Sequence, residues 1–170
     1  MNNVEEAVRT WEMFRAGTVS ELENIPDEQF EYRIGEGARS VRELALHILG
    51  SSLGFVNELT SGAPQFLRLR DPKVQAELMA QFGDVTTKAQ LVELAKNTGA
   101  SNAQRLRDHA ATIEAGTMPM MNGEQSRVSG IWFAASHEMY HRGQLTTYAR
   151  SIGVVPAMTQ RIQAMTQQQK

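Results

Sequence analysis

Helical periodicity is the feature that most narrows the folds open to this 170-residue chain. In four long stretches, apolar side chains recur every three to four residues, which places them on one face of an α-helix. No stretch shows the sustained alternation of apolar and polar side chains that is typical of a sheet. The sequence therefore predicts an all-α domain over residues 1–170. The predicted long helices are 3–24, 40–61, 87–115 and 126–151, with a short helix over 71–82 and a tail, 157–170, that adds a short helix or frays.

The predicted helices have recognisable ends. Ser40 to Glu43 and Thr87 to Gln90 each match a capping box, in which two side chains satisfy the first backbone N–H groups of a helix. Asp71-Pro72 reads as an N-cap followed by proline at the first helical position. The stretch 117–125 is predicted to be a loop. Four long helices with short extra helices favour a bundle, whose cofactor sites are built from inward side chains on facing helices.

Composition excludes several classes of function. Hydrophobic residues make up 41% and charged residues 21% of the chain, and the formal net charge is -2, so nothing favours nucleic acid or an anionic membrane as partner. There is no cysteine, hence no disulfide and no thiolate from the chain itself. The N-terminus is polar and unlike a signal peptide, and no apolar run reaches membrane-spanning length. We expect a cytoplasmic protein.

The stretch 137–141, His-Glu-Met-Tyr-His, matches the H-E-x-x-H pattern of zinc proteases. Residues four apart on a helix lie about 40° apart around its axis, so His137 and His141 can present two imidazoles to one ion. Leu145 and Tyr148 lie on the same side of the predicted helix. Two packed or surface histidines would be the simpler interpretation of such a pair, but its place in a strong helix favours metal binding.

The protease interpretation fails for lack of a third ligand. Such enzymes take it from a position after the motif, yet residues 142–170 contain no Asp, Glu or His. The third ligand must therefore come from upstream, where the remaining histidines are His47 and His109. His47 shares a polar stripe of its helix with Glu43 and Glu58, which favours it only modestly over His109.

Two segments, 40–47 (S-V-R-E-L-A-L-H) and 137–145 (H-E-M-Y-H-R-G-Q-L), together with G-V-V-P at 153–156, resemble the DinB / YfiT-like superfamily. The resemblance implies an up-down-down-up four-helix bundle with a long crossover. It also implies a divalent metal held by three histidines, which correspond to His47, His137 and His141. His109 has no counterpart and is expected to be a structural or surface residue.

Three imidazoles leave a coordination position open, as in a catalytic site, and they suit zinc or nickel. A metal there acidifies water or deprotonates a thiol. Because the superfamily includes thiol S-transferases, we expect transfer of a low-molecular-weight thiol cosubstrate to a small electrophile, that is, a small-molecule substrate. A metal-dependent hydrolase of small amides or esters, and a non-catalytic metal-stabilised binding module, remain open alternatives.

Other candidate site residues follow from their angle on the last long helix. Glu138 could act as a general base, orient a ligating histidine or face solvent. Tyr148 could supply a hydroxyl or a wall, and Gln144, one turn from His141, could contact the cofactor. We also expect a homodimer, because the family often pairs and because the aromatic residues of the first helix outnumber what one apolar stripe needs.

Overall fold

A computed structural model describes residues 3–168. The fold is a helical bundle with one small hairpin, which confirms the predicted all-α four-helix class. Between the helices lie 3-10 turns at Asp27–Gln29 and Phe66–Arg70. The elements are α1 (Asn3–Asn24), α2 (Val41–Thr60), α3 (Pro72–Ala80), α4 (Lys88–Asp108), α5 (Ala110–Ala115), β1 (Thr117–Met120), β2 (Gly123–Ser126), α6 (Arg127–Ser151) and α7 (Ala157–Gln167).

The four long helices pack as a square. α1 packs against α4 and α6, and α2 packs against the same two helices. α1 and α2 therefore stand at opposite corners, as do α4 and α6, and the chain crosses the bundle between them. This is the up-down-down-up arrangement rather than a simple antiparallel series. It brings α2 against α6, the two helices that carry the candidate histidines.

The predicted helix starts are present. Ser40 and Glu43 form a reciprocal capping box at α2, and Thr87 and Gln90 form one at α4. The Asp71 side chain accepts a hydrogen bond from the backbone N–H of residue 73, with proline at the first position of α3. These contacts satisfy backbone N–H groups that the helix itself leaves unpaired.

The structure corrects two of the predicted boundaries. The helix predicted over 87–115 is broken at His109, an exposed residue whose backbone (φ -103°, ψ 14°) caps α4. The predicted loop 117–125 lies largely within an antiparallel hairpin in which Thr117 pairs with Ser126 and Met120 with Gly123. Gly123 has φ 97°, in the left-handed region that glycine adopts without strain, and this lets the chain reverse within two residues.

Among the helices of residues 3–168, none combines the length and apolar character needed to cross a membrane.

Two apolar clusters fill the bundle from one end to the other. The first cluster lies near the hairpin and the second near the 3-10 turn at 27–29. Large, almost fully buried members include Trp11, Leu59, Leu106 and Ile131 in the first and Leu22, Ile48, Leu91 and Leu145 in the second.

Candidate metal centre

Three histidines meet where α2 packs on α6. His47 comes from α2 and His137 and His141 from α6, and one ring nitrogen of each lies within 4.8 Å of the others. The Nε2 atoms of His47 and His141 are 3.2 Å apart. Two nitrogens about 2.1 Å from one ion are separated by about 3.4 Å at a tetrahedral angle and about 3.0 Å at a right angle. The cluster could therefore hold a divalent metal ion with little rearrangement.

The protonation state of the cluster suits metal binding. Burial lowers the pKa of His47 to about 4 and that of His137 to about 3, and it also lowers the pKa of His141. The positive charge of Arg39 pushes all three pKa values in the same direction. The imidazoles are therefore neutral at pH 7, which is the form that offers a lone pair to a metal.

Gln144 fixes the orientation of one histidine. Its Oε1 lies 2.7 Å from Nδ1 of His141. An amide oxygen can only accept a hydrogen bond, so Nδ1 of His141 carries the proton and Nε2 keeps its lone pair toward His47. The structure thus brings Gln144 to the site, behind a candidate ligand rather than in front of it.

Glu138, which follows His137 in the chain, faces the interior of the bundle. Its side chain is 1% exposed and points into the bundle, where the carboxylate accepts hydrogen bonds from Trp11 Nε1 (2.7 Å) and from Arg15 (2.5 and 3.0 Å). Because Glu138 directly follows His137, its side chain is turned about 100° around the helix axis from that of His137, toward α1. The expectation that Glu138 faces solvent is therefore wrong, and within residues 3–168 no hydrogen bond joins its carboxylate to a histidine. A part for Glu138 in catalysis stays a prediction.

Arg15 is the residue that sequence reasoning missed. Besides Glu138, its guanidinium donates to Ser52 Oγ (2.8 Å), the Ala95 carbonyl (3.1 Å) and Thr98 Oγ1 (3.2 Å), so it links all four long helices. A signal was available, because position 15 continues the inward stripe of α1 four residues after Trp11. A charged residue in such a stripe indicates a buried partner.

The hydroxyl group of Tyr148 is also engaged in a hydrogen bond within the protein. The residue is 6% exposed, and its hydroxyl donates a hydrogen bond to the backbone carbonyl of Arg39 (2.7 Å). No hydrogen bond joins it to a histidine within residues 3–168. The side chain therefore fastens the segment before α2 to α6 through a hydrogen bond to the backbone. A role for Tyr148 in catalysis stays a prediction.

A cavity of about 410 Å³ opens beside the histidines, within the range typical of small-molecule sites. The 3-10 turn at 66–70 and α3 form its roof, which rests on α2 at two glycines. A Cβ atom on Gly50 would lie 2.9 Å from Met79 Sδ, and one on Gly54 would lie 2.8 Å from a Leu69 methyl carbon. The lining is mostly apolar and includes His47, Ser51, Phe55, Phe66, Leu69, Leu78, Met79, Met121, Phe133 and His137.

The acidic residue of the cavity lining, Glu43, is neutralised. Arg33 donates two hydrogen bonds to its carboxylate, at 2.5 and 2.6 Å. These bonds, with a further one from the backbone N–H of Ser40, lower the pKa of Glu43 to about 2. Glu43 is therefore a weak base, and its charge is matched before any ligand enters the cavity.

Comparison with known proteins found similar folds. No curated protein matches the chain. A DinB-like protein of Bacillus subtilis, YjoA, is 22% identical with a TM-score of 0.67, over 87% of this chain and 92% of that one. A putative DinB family member from Exiguobacterium sibiricum is 24% identical with a TM-score of 0.63, over 90% and 94%.

YfiT from Bacillus subtilis is 15% identical with a TM-score of 0.62, over 88% of this chain and 87% of YfiT. It is described as "a probable metal-dependent hydrolase with an unusual four-helix bundle topology". At these identities the three structures show the fold. Membership follows from a separate match: the model of the DinB family covers residues 1–170, and the chain belongs to the DinB family.

Proposed function

We propose that this protein is a metal-dependent enzyme that transfers a low-molecular-weight thiol to a small electrophile. One observation carries the proposal: among residues 3–168, the cavity wall holds neutral histidines but no carboxylate free to act as a base. Glu43 is paired with Arg33, and Glu138 is buried in the bundle with Arg15. The site therefore favours a nucleophile that needs little help in losing its proton.

A divalent ion on three imidazoles, with zinc or nickel as the candidates, would supply a Lewis acid that lowers the pKa of a thiol or water at its open position. A free thiol starts from a pKa of about 8.5, against about 15.7 for water, so the thiol needs far less assistance. His47, His137 and His141 would hold the ion, and the hydrogen bond to Gln144 orients His141. The thiol proton leaves to solvent, a carbon–sulfur bond forms, and a leaving group departs with its bonding electrons.

The cavity supports this chemistry by binding the electrophile. Phe55, Phe66 and Phe133 form a cluster of ring contacts, with centroids 5.1–5.7 Å apart, and His137 packs edge-on against Phe55. An apolar substrate body placed there would exclude water from the histidines, which strengthens electrostatic interactions at the site and suppresses competing hydrolysis. The cysteine-free chain means that the thiol must arrive as a cosubstrate.

Hydrolysis of a small amide or ester is the second candidate. The fold similarity to YfiT, described as a probable metal-dependent hydrolase, supports it. The same cavity would then have to activate water without a nearby base, because Glu43 has a pKa of about 2 and Glu138 lies in the bundle interior.

The two candidates separate in one series of assays. Protein loaded with zinc or nickel is incubated with a panel of cellular thiols and a model aryl halide, and then with activated esters and amides without thiol. We expect thiol-dependent turnover that disappears in His47→Ala. The matched control is His109→Ala, which removes an exposed histidine far from the cluster in sequence and should leave turnover unchanged.

Ester or amide turnover without thiol, lost in His47→Ala, would replace the transferase proposal with a hydrolase. Absence of turnover in both arms, with metal bound, would favour the non-catalytic binding module. Metal content is measured for each variant, so that loss of the ion is separated from loss of chemistry.

A homodimer and a cytoplasmic location remain predictions. The argument for the dimer from surplus aromatic residues in the first helix does not hold, because Trp11 is buried and Phe14 packs against the core. The present support is instead a set of exposed apolar side chains on α6, which includes Trp132 at 39% and Met139 at 46%. Seven residues apart, these two share one face of the helix.

A further inference from the structure

Two positive charges of the cavity lining have no partner among residues 3–168. Arg39 and Arg70 both line the cavity, and neither guanidinium has a hydrogen bond or ion pair with any residue of 3–168. Glu43, the acidic lining residue, is already neutralised by Arg33. The cavity therefore combines an apolar body with a net positive charge.

Other arginines around the cavity are paired. Arg42 pairs with Glu31, and Arg68 donates two hydrogen bonds to Glu58, at 2.6 and 3.0 Å. Arg39 and Arg70, which line the cavity and are also exposed to solvent, have no acidic partner among residues 3–168. Guanidinium groups form strong, bidentate hydrogen bonds with carboxylates, so an unpaired one facing a cavity is suited to an anionic group of a ligand.

Arg39 is fixed through its backbone, whereas its exposed side chain lines the cavity. Its backbone carbonyl accepts the hydrogen bond from Tyr148, and the residue directly precedes the N-cap of α2. Its charge contributes to the lowered pKa of all three histidines, which agrees with a position close to them. A carboxylate bound by Arg39 would lie beside the metal centre, with the rest of its molecule along the apolar wall.

We propose that the substrate of this cavity is an anionic amphiphile: a small molecule with a carboxylate that Arg39 binds and an apolar chain or ring that packs against Phe55, Phe66, Leu78 and Met79. The inference rests on the proposed function only in that it names the substrate class of the same cavity. The binding itself requires neither metal nor catalysis. Arg70, in the roof, adds to the positive potential that attracts such a ligand.

The test is calorimetric binding to the metal-free full-length protein, so that direct coordination of a carboxylate to metal plays no part. The probes are the straight-chain acids from butanoate to decanoate, with octylamine and octanol as head-group controls. We expect affinity to rise about fourfold for each added methylene until the cavity is filled. Octanoate should bind at least about tenfold more tightly than octanol, and octylamine more weakly than either.

Variants assign the head-group site. Arg39→Gln should lower octanoate affinity about tenfold while leaving octanol binding unchanged, and Arg39→Lys should retain part of the affinity. Arg161→Gln, which removes an exposed arginine of α7 outside the cavity, is the matched control and should change nothing. A thermal unfolding scan of each variant establishes that it is folded.

Equal affinity for octanoate and octanol, full octanoate affinity in Arg39→Gln, or no binding of any probe would each overturn the inference. These results are distinguishable from failure of the proposed function. If the protein binds octanoate through Arg39 but shows no turnover with metal bound, the substrate class stands and the enzyme proposal fails. If turnover occurs with uncharged and anionic electrophiles alike and is insensitive to Arg39→Gln, the enzyme proposal stands and the proposed substrate class fails.

Discussion

Replacement of Arg15 by methionine tests whether the bundle interior depends on its buried ion pair. The side chains of Arg15 and Glu138 are 5% and 1% exposed, and their closest atoms are 2.5 Å apart. Arg15→Met preserves most of the side-chain length but leaves the Glu138 carboxylate buried, with Trp11 Nε1 as its remaining donor. Breaking one side of a buried pair in this way costs about 3–5 kcal/mol.

That cost is a large part of the stability of a domain, which is about 5–15 kcal/mol in total. For a chain of this size it corresponds to a fall in Tm of about 6–20 °C. The loss of the hydrogen bonds from Arg15 to Ser52, Ala95 and Thr98 acts in the same direction. The double variant Arg15→Met/Glu138→Leu removes both charges and should recover much of the lost stability, because no charge is left buried without a partner.

Urea unfolding of metal-free protein, followed by circular dichroism, gives the free energy of unfolding of wild type, both single variants and the double variant. The coupling energy of the four proteins isolates the pair from the rest of the network. A loss below about 1 kcal/mol in Arg15→Met would refute the reasoning. So would a fully stable Glu138→Gln variant that keeps its metal but has no activity, since that result would return Glu138 to the chemistry.

Three further predictions concern the metal centre and the assembly. Gln144→Ala should weaken metal affinity about 10- to 100-fold, because His141 loses the acceptor that fixes its tautomer; competition with a chromophoric chelator measures it, and an unchanged affinity would contradict this role. In metal-free protein, the pKa values of about 4 for His47 and about 3 for His137 keep both neutral while the unfolded chain takes up protons below about pH 6.5. Proton uptake by the unfolded chain therefore lowers the free energy of unfolding as pH falls from about 6.5 toward 4, and it has no effect above that range. The Tm of wild type should drop more steeply over this interval than that of His47→Gln/His137→Gln. Light scattering at micromolar concentration should give a dimer mass that Trp132→Glu reduces to that of a monomer, whereas a monomeric wild type would remove the dimer prediction.

The local features of the fold were accessible from the sequence because their signals lie within a few residues. Capping boxes at Ser40 and Thr87 span four residues each, and the spacing of His137 and His141 is one helical turn. His47 is different: composition favoured it only modestly over His109, and the family resemblance supplied the distinction. His47 and His141 are 94 positions apart in the sequence, which explains why a local pattern could not pair them.

The parts that sequence reasoning missed depend on contacts across the bundle or on very short elements. Arg15 and Glu138 are 123 residues apart, and only the packing of α1 on α6 shows that the carboxylate is buried against Arg15 and Trp11. The hairpin at 117–126 has strands of four residues, too short for a periodicity to be visible, although Asn-Gly at 122–123 is a turn signal that could have indicated it. The break at His109 has no glycine or proline to mark it.

The roof of the cavity and the histidine cluster belong to different parts of the fold, so each can change in evolution without the other. Residues 66–80 rest on α2 through the gaps left by Gly50 and Gly54, whereas the histidines belong to α2 and α6 of the bundle itself. Insertions or substitutions in the roof can therefore reshape the cavity while the three histidines and the buried Arg15–Glu138 pair stay as they are. A library confined to residues 66–80 would vary the shape of the cavity at a constant histidine cluster, so we expect changes in this short segment to alter which molecules the cavity admits.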